Sequence, residues 1–527
     1  MAKLTDIYNN LMKVSDFGSY SNEEALEYIG KLVDISGIIG KVEGLEHALE
    51  VASFLEGANL TDNEYATLEY FKGNAWGNKR NLLKSGTDEI WYWEQEEIEQ
   101  GIIAYRKAFK VGRNAEASQR LICQILTNLG NLHDEIGRFV EAIEYWNEAL
   151  KIDPGFGMAL GNRGHGLFCY SLVLYDEGHK AVFLRQAYKD MQRALKLTLE
   201  YEAVGTKFQE LTAKIEKVLD KDFLDGSEDL EGFTLGESDA EVRYRNWCLD
   251  NVLFLNPLND LGDYSIGARD VLSTPNIIVN LYEPPSYQGF FNQIKQEYIS
   301  ARYLYYEGIE STEPHFADKG VLLLNTLDYP EYSIALEKEK ASFRMAYSIL
   351  DKIGYFLNDY LNLSIPQNRI SLRTLWYKRQ NYRKGLRDEF VKRENWPLRG
   401  LFWLSKDLYE RKTSYKEVLS PDAQEIALIR NHIEHKYLKI HSFFWEPNKP
   451  EGPSDKMFDM LYDSLAYSVD RTDFEEKALR LLKITRSTII YLSLAIHVEE
   501  KKREQLRRND VPVGMIPMDI FDDDRKC

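Results

Sequence analysis

Residues 123–154 read CQILTNLGNLHDEIGRFVEAIEYWNEALKIDP, and that spacing of large, small and breaker residues leaves few folds open. Leu126, Leu129 and Trp146 hold the large positions, and Gly130, Ala142 and Ala149 the small ones. Small residues let two antiparallel helices approach, Gly137-Arg138 supplies the turn between them, and Pro154 ends the second helix. A helix pair of this kind covers only one of its faces, so it needs neighbours of the same build stacked against it. The chain supplies them. Met158-Ala159-Leu160 with Gly164 begins the next pair, whose second helix is read at 186–195 after an insertion around 176–185. Upstream, 63–77 with 101–109 reads as another pair, and 44–54 as part of an earlier one.

The window resembles a tetratricopeptide repeat, and three or four such units meet the minimum for a stacked core, about three repeats. The fold class expected is therefore all-α, with a tetratricopeptide-like repeat domain over 1–218. Residues 219–240 turn to Asp, Glu and Gly without hydrophobic periodicity, which reads as an acidic linker. A second helical domain is expected over 241–505, and a C-terminal tail over 506–527. Solenoid concavities commonly bind other chains, so a protein or peptide trigger is expected at the repeats.

Composition narrows the function classes. Of the 527 residues 44% are hydrophobic and only 15 are Pro, which excludes a disordered chain. The formal charge is 66 − 84 = −18, so affinity for nucleic acid requires a local basic patch. Cys123, Cys169, Cys248 and Cys527 lie far apart, which fits neither a zinc knuckle nor a disulfide framework and points to a reducing compartment. No stretch reads as a secretory signal or as a membrane span, so a cytoplasmic protein without membrane partners is expected. His47, His133, His165, His179, His315 and His497 lack metal-ligand spacing, and neither a Gly-rich phosphate loop nor a nucleophile elbow is present. No cofactor and no metal are called for.

The second half carries long helical patterns at 288–305, 332–363, 397–412, 420–441 and 473–502, and few strand signals beyond short apolar runs such as 320–324. The 420–441 pattern is the sharpest. Ser420 suits the N-cap, Pro421 the first helical position, and Asp422 the positive end of the dipole. Ile426, Ile429, Ile433, Tyr437 and Ile440 recur at spacings of three and four, as one buried stripe. At about 100° per residue, Arg430 flanks that stripe while Asn431 and His435 share the opposite side. His435 is expected to face away from its own bundle.

Arg430, four intervening residues and His435, late in a helical domain behind tetratricopeptide-like repeats, resemble the active-site motif of the HEPN superfamily. The WCLDNVLFLNPLNDL segment and the long helix near 332–363 strengthen the resemblance over 241–505. It implies a helical bundle that dimerises with two motif helices facing each other, and a metal-independent endoribonuclease acting on RNA. His435 is implied as acid/base and Arg430 as the stabiliser of phosphoryl charge, with Asn431 orienting substrate or imidazole, His432 and Glu434 as lesser candidates, and Lys436 as a lesser candidate that binds RNA. RNA is required because the nucleophile is the ribose 2′-OH. A toxin-like or antiphage effector gated by its repeats is the biological role implied. Tyr437 also fits the pattern of HEPN toxins whose tyrosine is modified, but its place on the apolar stripe reads as a core position. The reading from another class is a non-catalytic adaptor, or an RNA-binding protein, that dimerises through the C-terminal bundle. In it Arg430 and Glu434 form a surface pair, and His435 is an ordinary exposed residue.

Residues 373–412 hold twelve Lys or Arg against five Asp or Glu, 12 − 5 = +7 within a chain of −18. Trp376, Tyr377, Tyr382, Phe390, Trp396, Trp403 and Tyr409 interleave with the charges. Two readings are open. Aromatic faces beside Arg379, Arg383, Lys384, Arg387 and Arg393 could stack on single-stranded RNA, or the aromatics belong to the core and the cations neutralise acidic neighbours.

Overall fold

The computed structural model describes residues 2–521, 523 and 526, apart from 15–16, 18–19, 116, 198–201, 227–229, 280–282, 410–422, 443–462, 464 and 507–518. The N-terminal half is a run of antiparallel helices: α1 (Ala2–Leu11), α2 (Asn22–Ile39), α3 (Val42–Leu55), α4 (Asp62–Lys84), α5 (Glu96–Asn114), α6 (Gln119–Glu135), α7 (Phe139–Ile152), α8 (Gly157–Val173), α9 (Glu177–Leu195) and α10 (Glu202–Glu216). The pairs α4/α5, α6/α7 and α8/α9 pack along their lengths. One rule sets their approach. A Cβ at Gly73 would strike the Tyr105 ring, and one at Gly130 the Trp146 indole, so a glycine on the first helix seats an aromatic from the second. The second helix of the last pair differs from expectation: it is continuous from Glu177, capped by Asp176, whose carboxylate accepts from the His179 N–H at 2.8 Å. What read as an insertion is its first turns, because the Asp176 cap stands ten residues before the segment chosen.

The C-terminal half contains α11 (Lys221–Asp225), α12 (Asp239–Asp250), α13 (Ser286–Ile309), α14 (Ile334–Tyr360), α15 (Trp396–Tyr409), α16 (Ala423–His435), β1 (Tyr437–His441), β2 (Ala466–Asp470) and α17 (Arg471–Leu506). The fold is all-α, and among the described residues β1 and β2 make a single two-stranded parallel sheet, in register from Tyr437 opposite Ala466 to His441 opposite Asp470. The apolar run at 320–324 forms no strand, and Gly320 at its start is a turn residue with φ +80°. An 18-residue window of α17 is long and apolar enough to cross a bilayer, contrary to the sequence reading, and 83% of it is buried inside the protein. Burial by its own neighbours explains its composition.

The two halves share one hydrophobic core that extends from Trp93 to Ile496, while a smaller core lies among α1–α4. Close backbone contact makes this possible. Gly137, the turn glycine of the repeat window, has φ +88° and lies against the backbone of Trp396 and Gly400 on α15. Polar groups seal the seam: Trp93 Nε1 donates to the Arg393 carbonyl at 3.0 Å, Trp396 Nε1 to the Asp134 carbonyl at 2.6 Å, and Arg399 to the Tyr92 carbonyl at 3.0 Å. The WCLDNVLFLNPLNDL segment joins this seam through Asp260, which accepts from Arg486 at 2.6 Å and from the Tyr170 hydroxyl at 3.1 Å. Its carbonyls at Phe254 and Asn256 are satisfied by the same Arg486 guanidinium, as buried backbone oxygens require.

Candidate functional site

Helix α16 buries Ala423, Ile426 and Ile429 against α14, α15 and α17. Ser420, Pro421 and Asp422, which read as its start, lie outside the described residues. With the stripe fixed inward, Asn431, Glu434 and His435 are exposed and Arg430 is half-buried at the stripe's edge, as the helical period dictates. The Arg430 guanidinium stands over the Tyr347 ring, 5.2 Å from its centroid, and Nη1 donates to Asn431 Oδ1 at 3.3 Å. Burial raises the Asp351 carboxyl above its ordinary range, and the Arg430 charge opposes that shift. Tyr347 and Tyr409 are hydrogen-bonded beneath it, and burial holds both phenols above their ordinary value. An aromatic floor and a neighbouring carboxylate therefore position the cation at the rim of the seam between α14 and α16.

His435 is the last residue of α16, and Lys436 N donates to the His432 carbonyl to close the final turn. The stripe predicted through Tyr437 and Ile440 ends there, because after Lys436 residues 437–441 form β1 instead of helix. Anchors on β1 explain the change. Lys439 Nζ lies 2.5 Å from Asp328 and 3.1 Å from Asp463, and His441 Nδ1 is 3.0 Å from the Asp328 carbonyl. Burial lowers the His441 imidazole from its ordinary value. Ile440 is buried as the stripe required, but Tyr437 is not a core position: its hydroxyl lies 3.3 Å from that of Tyr332 at the surface.

The sequence missed Arg344. It is exposed on α14, its Nη2 donates to the Ile433 carbonyl at 3.3 Å, and its Nε lies 3.8 Å from Glu434. Glu434 therefore pairs across helices and not with Arg430. Arg344, Tyr347 and Asp351 share one face of α14 at spacings of three and four, a visible signal, but a single sequence does not say which helix that face meets. His432 serves structure: Nδ1 is 2.8 Å from the Leu428 carbonyl and its ring packs on Tyr467.

The basic stretch divides. Arg379, Arg383 and Lys384 are exposed on a tight turn in which Arg379 adopts φ +53°, and Tyr382 beside them is exposed. Arg387 is half-buried and donates to the Leu363 carbonyl, while Arg393 forms a two-point pair with Glu499 at 3.0 and 2.7 Å. Trp376, Tyr377, Phe390 and Trp403 are buried, so those aromatics are core. Among the described residues no three His, Cys, Asp or Glu side chains gather as a metal set.

Residues 278–499 match the family model of the LA2681-like HEPN domain, and residues 123–156 match that of the tetratricopeptide repeat. Along the chain a tetratricopeptide-repeat match is thus followed by a HEPN match, the order that the sequence motifs suggest. No curated protein matches it. The HEPN match contains α13 to α16, both strands and most of α17, so Arg430, Asn431, His435 and Arg344 all fall inside it. HEPN domains are associated with ribonuclease-type activity.

Proposed function

We propose that the HEPN domain is a metal-independent endoribonuclease that cleaves RNA by transesterification. The observation that carries the reading is that one helix within the HEPN match presents Asn431 and His435 to solvent and holds Arg430 at the edge of its buried stripe, over Tyr347. An imidazole takes the proton of a ribose 2′-OH, the 2′-oxygen bonds to phosphorus, and the bond to the 5′-oxygen breaks. That oxygen leaves with a proton, giving a 2′,3′-cyclic phosphate and a 5′-hydroxyl. Arg430, held over Tyr347, neutralises charge growing on the phosphoryl oxygens, and Arg344 and Lys436 add donors nearby. Two motif helices facing each other in a homodimer would supply one imidazole as base and one as acid.

The repeats act as the gate, in a cytoplasmic effector of the toxin or antiphage type that responds to a protein or peptide trigger. Support for gating is the continuous core between repeats and HEPN domain, which gives a ligand on one half a mechanical path to the other. The chemistry is tested with a defined RNA that carries a 2′-deoxy sugar at the cleaved position. Cleavage there stops while flanking sites are still cut. Unimpaired cleavage at the deoxy position overturns the mechanism.

A further inference from the structure

On the segment between α13 and α14 the chain exposes Val321, Leu322, Leu323, Leu324, Leu327 and Tyr329 to solvent, with Leu322 91% and Leu324 84% exposed. Uncharged residues fill the whole interval from Gly320 to Leu327. The run is fixed at both ends. Asp318 accepts from the Ile334 N–H at the start of α14 at 3.0 Å, and Asp328 holds Lys439 on β1 at 2.5 Å. Leu327 and Tyr329 take φ +68° and +50°, in the left-handed region that L-residues rarely adopt. Residues 321–326 form neither helix nor turn nor paired strand, and among the described residues the backbone of 321–324 makes no backbone hydrogen bond.

An anchored apolar segment whose backbone groups find no backbone partner among the described residues offers what an open sheet edge offers, and such edges recruit another strand. We propose that residues 321–329 form the contact through which a second copy of this chain docks, strand against strand about a two-fold axis. Area is the first argument. The six side chains expose on the order of 800 Å², the share of one partner in a standard interface, against the roughly 300–600 Å² of the largest patch on a typical monomer. Chemistry is the second: the run is its own complement, since antiparallel pairing of Val321–Leu324 with itself sets apolar side chains on apolar side chains and buries no charge. Continuity is the third. Glu331 N donates to the Ile440 carbonyl at 2.8 Å, and Tyr332 meets Tyr437, so a copy docked on this run lies beside the junction of α16 and β1 that ends in His435. The homodimer of the proposed nuclease then acquires a location, but the docking itself does not depend on catalysis.

Sedimentation equilibrium of the full chain tests it, because mass is read without any activity. Wild type is expected to be dimeric at micromolar concentration, and Leu322→Asp/Leu324→Asp monomeric with an unchanged melting curve, as befits two solvent-facing positions. The milder Leu322→Gln/Leu324→Gln change keeps the test open should the aspartates disturb folding, and is expected to weaken dimerisation at least tenfold. A monomeric wild type overturns the proposal, leaving the run to another partner. So does a dimer of unchanged affinity in the variants, which would place the contact elsewhere.

Discussion

Replacing Asp407 by Asn removes the charge that ties α15 to the repeats. Asp407 accepts from Arg106 at 2.6 and 2.8 Å and from Arg138 at 2.5 Å, all three side chains being buried or nearly so. Burial alone raises its carboxyl, but Arg106 and Arg138 outweigh that and hold it well below the ordinary carboxylate range. Asn takes the Asp407 charge away from two buried guanidinium groups, and Arg138 keeps Glu141 at 3.3 Å. Breaking a buried pair from one side costs about 3–5 kcal/mol. The shared core makes the chain one unfolding unit, with an unfolding entropy near 1.1 kcal/mol/K at about 2.1 cal/mol/K per residue. Calorimetry should therefore show a single endotherm whose Tm falls by about 3–5 °C in Asp407→Asn. A HEPN domain melting by itself would have roughly 0.5 kcal/mol/K and lose about 6–10 °C. Because the native carboxyl is depressed, the contribution is complete above the unfolded value of about 3.9 and is lost as pH falls below it, so the two proteins should converge in acid. Two separate wild-type endotherms, or an unchanged Tm at pH 7, would refute the shared-core argument.

Asp134 gives the opposite sign. Burial and then Glu135 push its carboxyl up to about 7, so the native state binds a proton that the unfolded chain has released, and stability falls as pH rises from about 4 to 7. Asp134→Asn should melt higher than wild type at pH 8 and equally at pH 4; the same gain at both would show that ionisation is not the cause. Trp376 packs among Trp93, Phe390 and Phe402 with centroids 5.3–6.0 Å away, and Trp376→Ala should cost about 3–5 kcal/mol in urea unfolding, against less than about 0.5 kcal/mol for the exposed Tyr382→Ala. Replacing Arg379, Arg383 and Lys384 together by Ala should leave the melting curve in place. If the turn contacts RNA, that change lowers the slope of log affinity against log salt by about 2, at roughly 0.7 per phosphate contact on a single strand; an identical slope would remove this turn from the RNA path.

The repeat half was legible because its information is local. Gly130, Trp146 and Gly137 each name a packing partner or a turn within one period, and the structure places them accordingly. The helices of the second half were equally visible in their periodicity. Sequence reading failed where a tertiary anchor overrode a local pattern. Tyr437 and Ile440 continue the period of α16, yet Asp328 and Asp463 draw Lys439 into a strand, and those carboxylates lie 111 and 24 residues from it. The aromatic residues of the basic stretch were ambiguous for a related reason: Trp376 and Phe390 find their partner in Trp93, on the far side of the repeat array in sequence but adjacent in space. The outward side of α16 followed from its inward stripe alone. Arg344 came into view only once α14 was seen to run past the end of α16.

The central claim is that Arg430 and His435 cut RNA without a metal. Purified wild type, Arg430→Ala and His435→Ala are incubated with total cellular RNA in EDTA, and the product ends are identified. His435 is exposed, so its variant should keep the wild-type melting curve, while Arg430 is half-buried over Tyr347 and the melting curve of its variant is recorded beside its activity. The account predicts 2′,3′-cyclic phosphate and 5′-hydroxyl ends from wild type, and a loss of at least about 100-fold in rate for each variant, the scale of a missing acid–base or charge-stabilising group. Cleavage by His435→Ala at the wild-type rate would contradict it.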